Sequence, residues 1–517
     1  MLFNSPFFIF VFLPIVIFTF YLLGSRGFHR LAIVWLVSAS LFFYGWWNVN
    51  YLLLISLSLL FNYSLGSRIV VNRSRLLMIL GVTANLCLLG YYKYANFFID
   101  SLNPIIGTDY NLEKIILPLA ISFFTFEQIS YLVDSYRGNA RNYSFIHYCI
   151  FVLFFPQLIA GPIVHHHEMI PQFENKRIFK FRLHRFVIGM TIFFIGLFKK
   201  VVIADSVALY VAPVFDIALS GTESLSFFAA WGGAIAYSFQ LYFDFSGYAD
   251  MAIGIAMMFG IRMPLNFHSP YKAVNIIDFW RRWHMTLSRF LREYLYIPLG
   301  GNKKGKARRY INLIIVMLLG GLWHGAGWTF VVWGGLHGFY LIINHAWQSI
   351  KGRTNSNVNA GSWLSTWLSR IITFIAITVA WVFFRAENMD AAFEVLKGMA
   401  GVNGVILPGS FLHIFNQVGD FGGYLEAHGV QFGLDVAFNQ WGFPLLFVLL
   451  IFTWFSPNTQ QLMARYKPTF TVFQGATHRS SIWQWRLTPY SAIYSAVLTL
   501  LAIIGLNEVS EFLYFQF

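Results

Sequence analysis

The chain has 517 residues, of which 57% are hydrophobic, 19% aromatic and only 11% charged. Soluble proteins carry about 25% charged residues, so this composition excludes a water-soluble enzyme and the usual division into domains of ~150 residues. Lys and Arg number 36 against 22 Asp and Glu, a net charge of +14, which reads as basic cytoplasmic loops and not as a nucleic-acid surface. Cys87 and Cys149 are the only cysteines and lie far apart, which excludes a disulfide scaffold or a CxxC metal site. The expectation is an all-α, polytopic integral membrane protein forming one membrane-embedded domain over 1–517.

A span needs ~20 largely apolar residues. Residues 1–25 supply the first, with no charge before Arg26 and no small-residue cleavage site, so it is expected to be retained and not removed as a signal peptide. Residues 31–67 supply two more around a turn at 48–50, and 76–92 a fourth. Basic loops (Arg26 and Arg30; Arg68, Arg73 and Arg75) alternate with a segment, 100–113, whose only charges are acidic. The positive-inside rule then places the N-terminus outside and the basic loops in the cytoplasm.

The window 115–133 returns the chain to a basic loop at 137–141, and the next basic loop starts at Lys176. The uncharged stretch 143–167 between them must enter and leave by one face. Pro156, Gly161 and Pro162 mark it as re-entrant and broken, which is tolerated at membrane depth only inside protein or beside a cavity. The same reasoning applies to residues 310–350, which carry no formal charge and are flanked by 303–309 and by Lys351 and Arg353. This is a hairpin whose expected break is 320–327, GGLWHGAG, placing His324 ~21 Å beyond Tyr310 at the helical rise per residue. Further crossings are expected at 186–209, 224–243, 366–384, 441–456 and 487–506, with 390–435 inside an outer loop. The total is about ten to eleven transmembrane helices with re-entrant broken helices.

An ionisable residue at membrane depth is expensive to keep and is a functional candidate for that reason. His324 is the strongest, flanked by glycines that permit close approach of backbone or substrate. The same position also suits a buried histidine bonded to a neighbouring helix as packing glue. The segment 275–301, NIIDFWRRWHMTLSRFLREYLYIPLGG, is predicted to be one interfacial amphipathic helix, capped by Asn275 and ended by Pro298. On a helical wheel Asp278, Arg281, Arg282, Arg289, Arg292 and Glu293 share one face, while Phe279, Trp280, Trp283, Leu287 and Phe290 share the other. His284 falls near the edge of the apolar face, as a general base, as its partner, or as an incidental residue of an anchor helix. The arginines Arg281, Arg282, Arg289 and Arg292 suit lipid head groups or the phosphates of a donor such as coenzyme A.

Asp244, Ser246, Tyr248 and Asp250, in FDFSGYAD at the end of an apolar window, need polar partners, and so do Glu127 and Asp134. Structural ion pairing and a chemical role both fit them. The run His165-His166-His167-Glu168 reads as a solvated loop, because adjacent residues on a helix point in different directions, and no metal is assigned. The chain has no Walker A, GxGxxG or GxSxG pattern, which argues against an ATP-driven pump and a serine hydrolase.

WRRWHMTLSRFLREYLYIPLGGN (280–302) and GGLWHGAGWTFVVWGGLHG (320–338) resemble the signature regions of membrane-bound O-acyltransferases. LPLAISFFTFEQISYLVDSYRG (117–138), FFPQLIAGPI (154–163), YFDFSGYADMAIG (242–254) and NSPFFIFVFLP (4–14) are similar to further blocks of that family. The match runs in order over most of 1–345, with a signature core at about 115–345, and is most similar to the alginate O-acetyltransferase branch. The teichoic acid D-alanyl transferases are more distant. Glu293 stands where the family more often has Asp, Ala120 where it more often has Gly, and the histidine triplet is not a family feature.

The resemblance implies a central funnel or tunnel with His324 inside it and His284 at the second motif position. It implies a cytoplasmic thioester donor, acetyl-CoA, as substrate with no bound cofactor, and an acceptor hydroxyl reached from the other side. His324 would then act as base and His284 would position the donor or polarise its carbonyl, with Trp283 and Trp323 excluding water. The expected setting is the bacterial inner membrane, with the lipid bilayer and membrane or periplasmic acyltransferase proteins as partners, no nucleic acid, and a polysaccharide such as alginate as final acceptor. A second class of function is a transporter or flippase of a lipid-linked or acylated substrate, which also uses broken helices. Transporters are usually built from two related halves, and the sequence shows no such symmetry. A purely structural scaffold leaves His324 without a reason.

Overall fold

The computed structural model describes residues 1–350 apart from 114 and 160, then 362–417, 419, 421–433, 437–438, 441–470, 484–507 and 513. Lys351, Arg353 and Asp435, which bear on the flanks of the expected hairpin and outer loop, lie outside the described residues. Five helices among the described residues are long and apolar enough to cross a membrane: Phe8–Ser25, Asn50–Asn72, Arg75–Ile106, Leu183–Ala208 and Trp363–Arg385. His29–Gly45, Gly442–Phe455 and Pro489–Ile504 are shorter apolar helices.

These follow the apolar windows of the sequence, with two differences in length. The expected turn at 48–50 is present, closed by Asn48, whose Oδ1 accepts from the Asn50 amide at 2.9 Å. The helix Arg75–Ile106 runs past its window through a π turn at Gly90–Tyr94 and ends at Gly107 with φ +72°. The window 224–243 belongs to a helix of 32 residues, Phe227–Met258. Asp244, Ser246 and Asp250 therefore lie inside a helix and not at its end. Polar side chains do not stop a helix whose backbone bonds are all made internally.

Both broken segments are found. Helices Phe145–Leu153 and Phe155–Leu158 are followed by non-helical backbone over 161–165, and His166–Phe173 begins after its N-cap His165. Helices Gly305–His324 and Trp328–Ile350 form an antiparallel hairpin whose break is Gly325-Ala326-Gly327. Arg309 Nη2 lies 2.8 Å from His345 Nδ1, which ties the two legs together near the ends away from the break. The stretch expected as an outer loop is not wholly helical: strand Val405–Pro408 pairs in parallel with Val430–Gly433 among short helices. The remaining elements among the described residues are helices, as expected.

Phe227–Met258 is buried along most of its length and forms the centre of the molecule. It lies against Leu183–Ala208 through glycines at matched spacing. A Cβ on Gly189 would stand 2.6 Å from the Gly254 carbonyl oxygen, and one on Gly247 would stand 2.7 Å from that of Gly196. Two antiparallel helices thus approach backbone to backbone, the packing expected where small residues replace a hydrophobic drive between helices. Ion pairs Lys199–Asp250 at 2.6 Å and Lys200–Asp244 at 2.7 Å cross the same interface.

Gly247→Val should destabilise this pair by at least about 1–3 kcal/mol, the range of overpacked cores, and the thermal midpoint in detergent checks it. Ala120, at the N-terminus of helix Ile121–Arg137, holds φ +59°, a left-handed conformation that disfavours a side chain. Ala120→Gly should raise the midpoint by the equivalent of about 1 kcal/mol.

Candidate active site

The hairpin legs meet closely because glycine faces backbone. A side chain on Gly321 would collide with the Phe330 carbonyl, and one on Gly334 with that of Met317. His324 is the last residue of the first leg and is 4% exposed. A helix that ends inside a protein leaves its final carbonyls without intrahelical donors. Here Lys93 Nζ donates to the carbonyls of Trp323 and His324 at 2.5 and 2.9 Å, and the Tyr94 hydroxyl donates to that of Leu322 at 2.7 Å.

The segment expected to form one interfacial helix is broken. Ile276–Trp280 and Met285–Leu291 are separate helices, followed by a π turn at Arg292–Tyr296. His284 stands between them with φ +42° and ψ +52°. The cause is the non-helical stretch around Asn266: its carbonyl accepts from the Met285 amide at 2.9 Å, and the His268 amide donates to the Arg282 carbonyl at 2.9 Å. Backbone bonds to a distant segment replace the helical ones, so the wheel pattern of the sequence describes two short helices with different axes. The break turns His284 inward, to 0% exposure, and away from the interface the wheel suggested.

The two histidines face one cluster, with ring centroids 6.2 Å apart. Trp323 lies 4.9 Å from His324 and 5.9 Å from His284, and is stacked on Phe126. Trp333 and Phe384 each stand 5.1 Å from His324, and Phe245 stands 4.9 Å from His284. Trp283 does not touch either imidazole in this way; it lies behind, stacked on Phe279 and against Trp381.

Asn266 settles the proton on His284. Asn266 Oδ1 lies 3.4 Å from the Thr286 amide, which can only donate, so this atom is the amide oxygen. His284 Nδ1, 3.2 Å from the same oxygen, is therefore the protonated nitrogen of the neutral ring. Nε2 keeps its lone pair, is buried, and has no hydrogen-bond partner among the described residues. Thr286 Oγ1 also accepts from the Ile163 amide at 3.1 Å, which ties the re-entrant segment to the His284 break.

The arginines divide. Arg282 pairs with Asp278 at 2.8 Å, and Arg289 makes a two-pronged pair with Glu168 at 2.5 and 3.0 Å. Burial raises the Glu168 carboxyl, and the bonds and charge of Arg289 outweigh it, holding the group below its ordinary range. Arg281 and Arg292 remain exposed. Asp244 and Asp250 are committed to Lys200 and Lys199, and Thr459 adds a 2.6 Å bond to Asp250. Ser246 is buried on the same helix. This group is a structural layer beside the histidines, with Phe245 as its link to them.

Two residues at the site escaped the sequence reading. Lys93 is the one charge in a long apolar stretch, by the same logic that exposed His324. His337, in GGLHG, is 0% exposed, lies 4.7 Å from Trp333, and has both ring nitrogens without a hydrogen-bond partner among the described residues.

Residues 41–384 match the family described as the membrane-bound O-acyltransferase family. The chain is 48% identical to a peptidoglycan O-acetyltransferase of Helicobacter pylori, over 81% of this chain and 83% of that protein. It is 43% identical to a probable alginate O-acetylase AlgI of Pseudomonas aeruginosa, over 77% of this chain and 75% of that one. A teichoic acid D-alanyltransferase of Streptococcus thermophilus is 26% identical over 53% of this chain and 70% of that protein. The chain belongs to the membrane-bound O-acyltransferases and is an acyltransferase.

Lys93→Met should lower the thermal midpoint, because it orphans two buried carbonyls at about 1–3 kcal/mol each. Lys93→Arg should recover part of the loss, and the comparison of the two variants is the check.

Proposed function

We propose that this membrane-bound O-acyltransferase takes an acetyl group from a cytoplasmic thioester, acetyl-CoA, and passes it across a bacterial inner membrane toward O-acetylation of an extracytoplasmic polysaccharide. The observation that carries the reading is the pair of buried imidazoles, from two separate elements, at the apex of a hairpin that enters from the basic side. Alginate and peptidoglycan, the polymers in the names of similar proteins, are the acceptor class. Membrane or periplasmic acyltransferase partners complete the relay, and a funnel lined by the aromatic cluster admits donor and acceptor from opposite faces.

His324, as neutral imidazole, takes the proton of an acceptor hydroxyl as its oxygen attacks the thioester carbonyl. The tetrahedral intermediate collapses, the C–S bond breaks, and the imidazolium returns the proton to the departing thiolate. A positioned base of this kind contributes ~10²–10⁴-fold. Polarising the carbonyl would need a proton on His284 Nε2, and the Asn266 contact puts it on Nδ1. His284 therefore acts as an acceptor that orients the hydroxyl. Trp323, in ring contact with both histidines, is the group that keeps water from the thioester; Trp283 supports that wall from behind. Arg281 and Arg292, both exposed, are the arginines placed to meet the donor's phosphates, Arg292 by leaving its exposed pair with Glu293 at 3.1 Å, while Arg282 and Arg289 hold the fold.

The test is acetyl transfer from labelled acetyl-CoA by the purified protein in nanodiscs, with folding followed by elution profile. Folded His324→Ala should lose at least about 10²-fold, and His284→Ala should lose less. Transfer by His324→Ala at the wild-type rate would overturn the assignment of His324 as the base, whereas a wild type that leaves acetyl-CoA intact would favour transport without bond chemistry. Arg281→Ala with Arg292→Ala should raise KM for the donor with little change in kcat.

A further inference from the structure

We propose that Asp134, His166 and His167 hold a divalent transition-metal ion, zinc by ligand chemistry, at the foot of the re-entrant segment on the side of the basic loops. The histidine run is not the solvated loop its sequence suggests: His165 and His166 are 2% and 0% exposed, and only His167 faces solvent. Adjacent histidines do not chelate one ion by themselves, and the missing ligand comes from another helix. Asp134, near the end of Ile121–Arg137, brings a carboxylate oxygen to 3.3 Å from His166 Nε2. One ligand atom from each of Asp134, His166 and His167 falls within 4.8 Å of the other two.

Zinc bonds to nitrogen and carboxylate oxygen at ~2.0–2.2 Å in a tetrahedral array, which separates neighbouring ligand atoms by about 3.3 Å. The Asp134–His166 pair already has that spacing. His167, being exposed, is free to close the remaining gap by a side-chain rotation. Two imidazoles and a carboxylate suit zinc better than calcium or magnesium, which take oxygen. The outer contacts are those of a held ligand set. Tyr143 Oη lies 3.1 Å from His166 Nδ1 and fixes which nitrogen turns to Asp134. The Tyr294 hydroxyl donates to Asp134 Oδ2 at 2.8 Å and lies 3.2 Å from His165 Nδ1. Arg137 stands 4.0 Å from the other carboxylate oxygen, at the edge of ion-pair range, and leaves Oδ2 to the cluster.

The ion would join three pieces of chain: the helix Ile121–Arg137, the re-entrant segment, and, through Tyr294, the turn after the His284 break. These are the pieces that Ile163, Thr286, Glu168 and Arg289 already hold at neighbouring points. Its role is that of a clip on the assembled site, and it takes no part in acetyl transfer.

The test uses the full chain, purified without a histidine tag, stripped with chelator and titrated with Zn2+ and with Co2+ as a spectroscopic probe. One equivalent of bound zinc and the visible ligand-field bands of four-coordinate Co2+ are expected. His167→Ala, an exposed change that leaves the fold intact, and Asp134→Asn should each weaken binding at least about tenfold. His147→Ala should not, since that histidine is engaged by Ser144 at 2.7 Å outside the cluster. Absence of bound zinc, or zinc retained undiminished by both His167→Ala and Asp134→Asn, overturns the proposal and leaves the cluster a hydrogen-bonded relay.

Discussion

The free carbonyls at the end of helix Gly305–His324 are the constraint on which the site depends. A helix can stop inside the membrane-embedded body only if its last carbonyls find donors. Lys93 and Tyr94 supply them to Leu322, Trp323 and His324. Both donors are consecutive residues on one turn of Arg75–Ile106, and that turn is π-helical. An extra residue in the turn re-aims side chains relative to an α-helix, a device frequent at functional sites. The clamp fixes where the helix ends, and so where the His324 imidazole begins.

The second imidazole is placed by strain. His284 holds a left-handed backbone, at a cost of about 1–2 kcal/mol, and such residues persist where surrounding contacts over-determine them. The Asn266 side chain and the backbone at 266–268 are those contacts. They also set the tautomer. Geometry, proton position and the inward turn of His284 thus come from one segment that contributes no group of its own to the chemistry. Charges elsewhere are used differently. Lys199, Lys200, Asp244 and Asp250 neutralise one another across the glycine-matched helix pair, which keeps the central helix in place without adding charge to the aromatic cluster.

Much of this was legible along the chain. The two broken segments followed from charge on both flanks and Gly or Pro within, and the break fell where the GGLWHGAG run placed it. His324 was legible as an ionisable residue that the bilayer would not otherwise tolerate. The segment 275–301 was misread as one helix because its residues do have helical periodicity; what interrupts it is hydrogen bonding to 266–268, invisible in periodicity. The His165–His167 run was misread as solvated because polar residues next to a basic loop usually are. His165 and His166 are buried against Tyr143, Tyr294 and Asp134, none of them adjacent in sequence, and His167 faces solvent.

Sequence by itself determined the class of protein, the broken hairpins, the burial of His324 and the family resemblance. These are local properties, since the bilayer acts on each stretch of chain according to its own hydropathy and charge. Only the tertiary structure decided which arginines are committed, which nitrogen of His284 carries the proton, and what closes the end of helix Gly305–His324. Those outcomes rest on pairs of atoms far apart in sequence: Lys93 and Trp323 are 230 residues apart, Glu168 and Arg289 are 121 apart, and Asp134 and His166 are 32 apart. A polar group that leaves water must be met by some partner, and the sequence shows the need without showing which distant residue meets it.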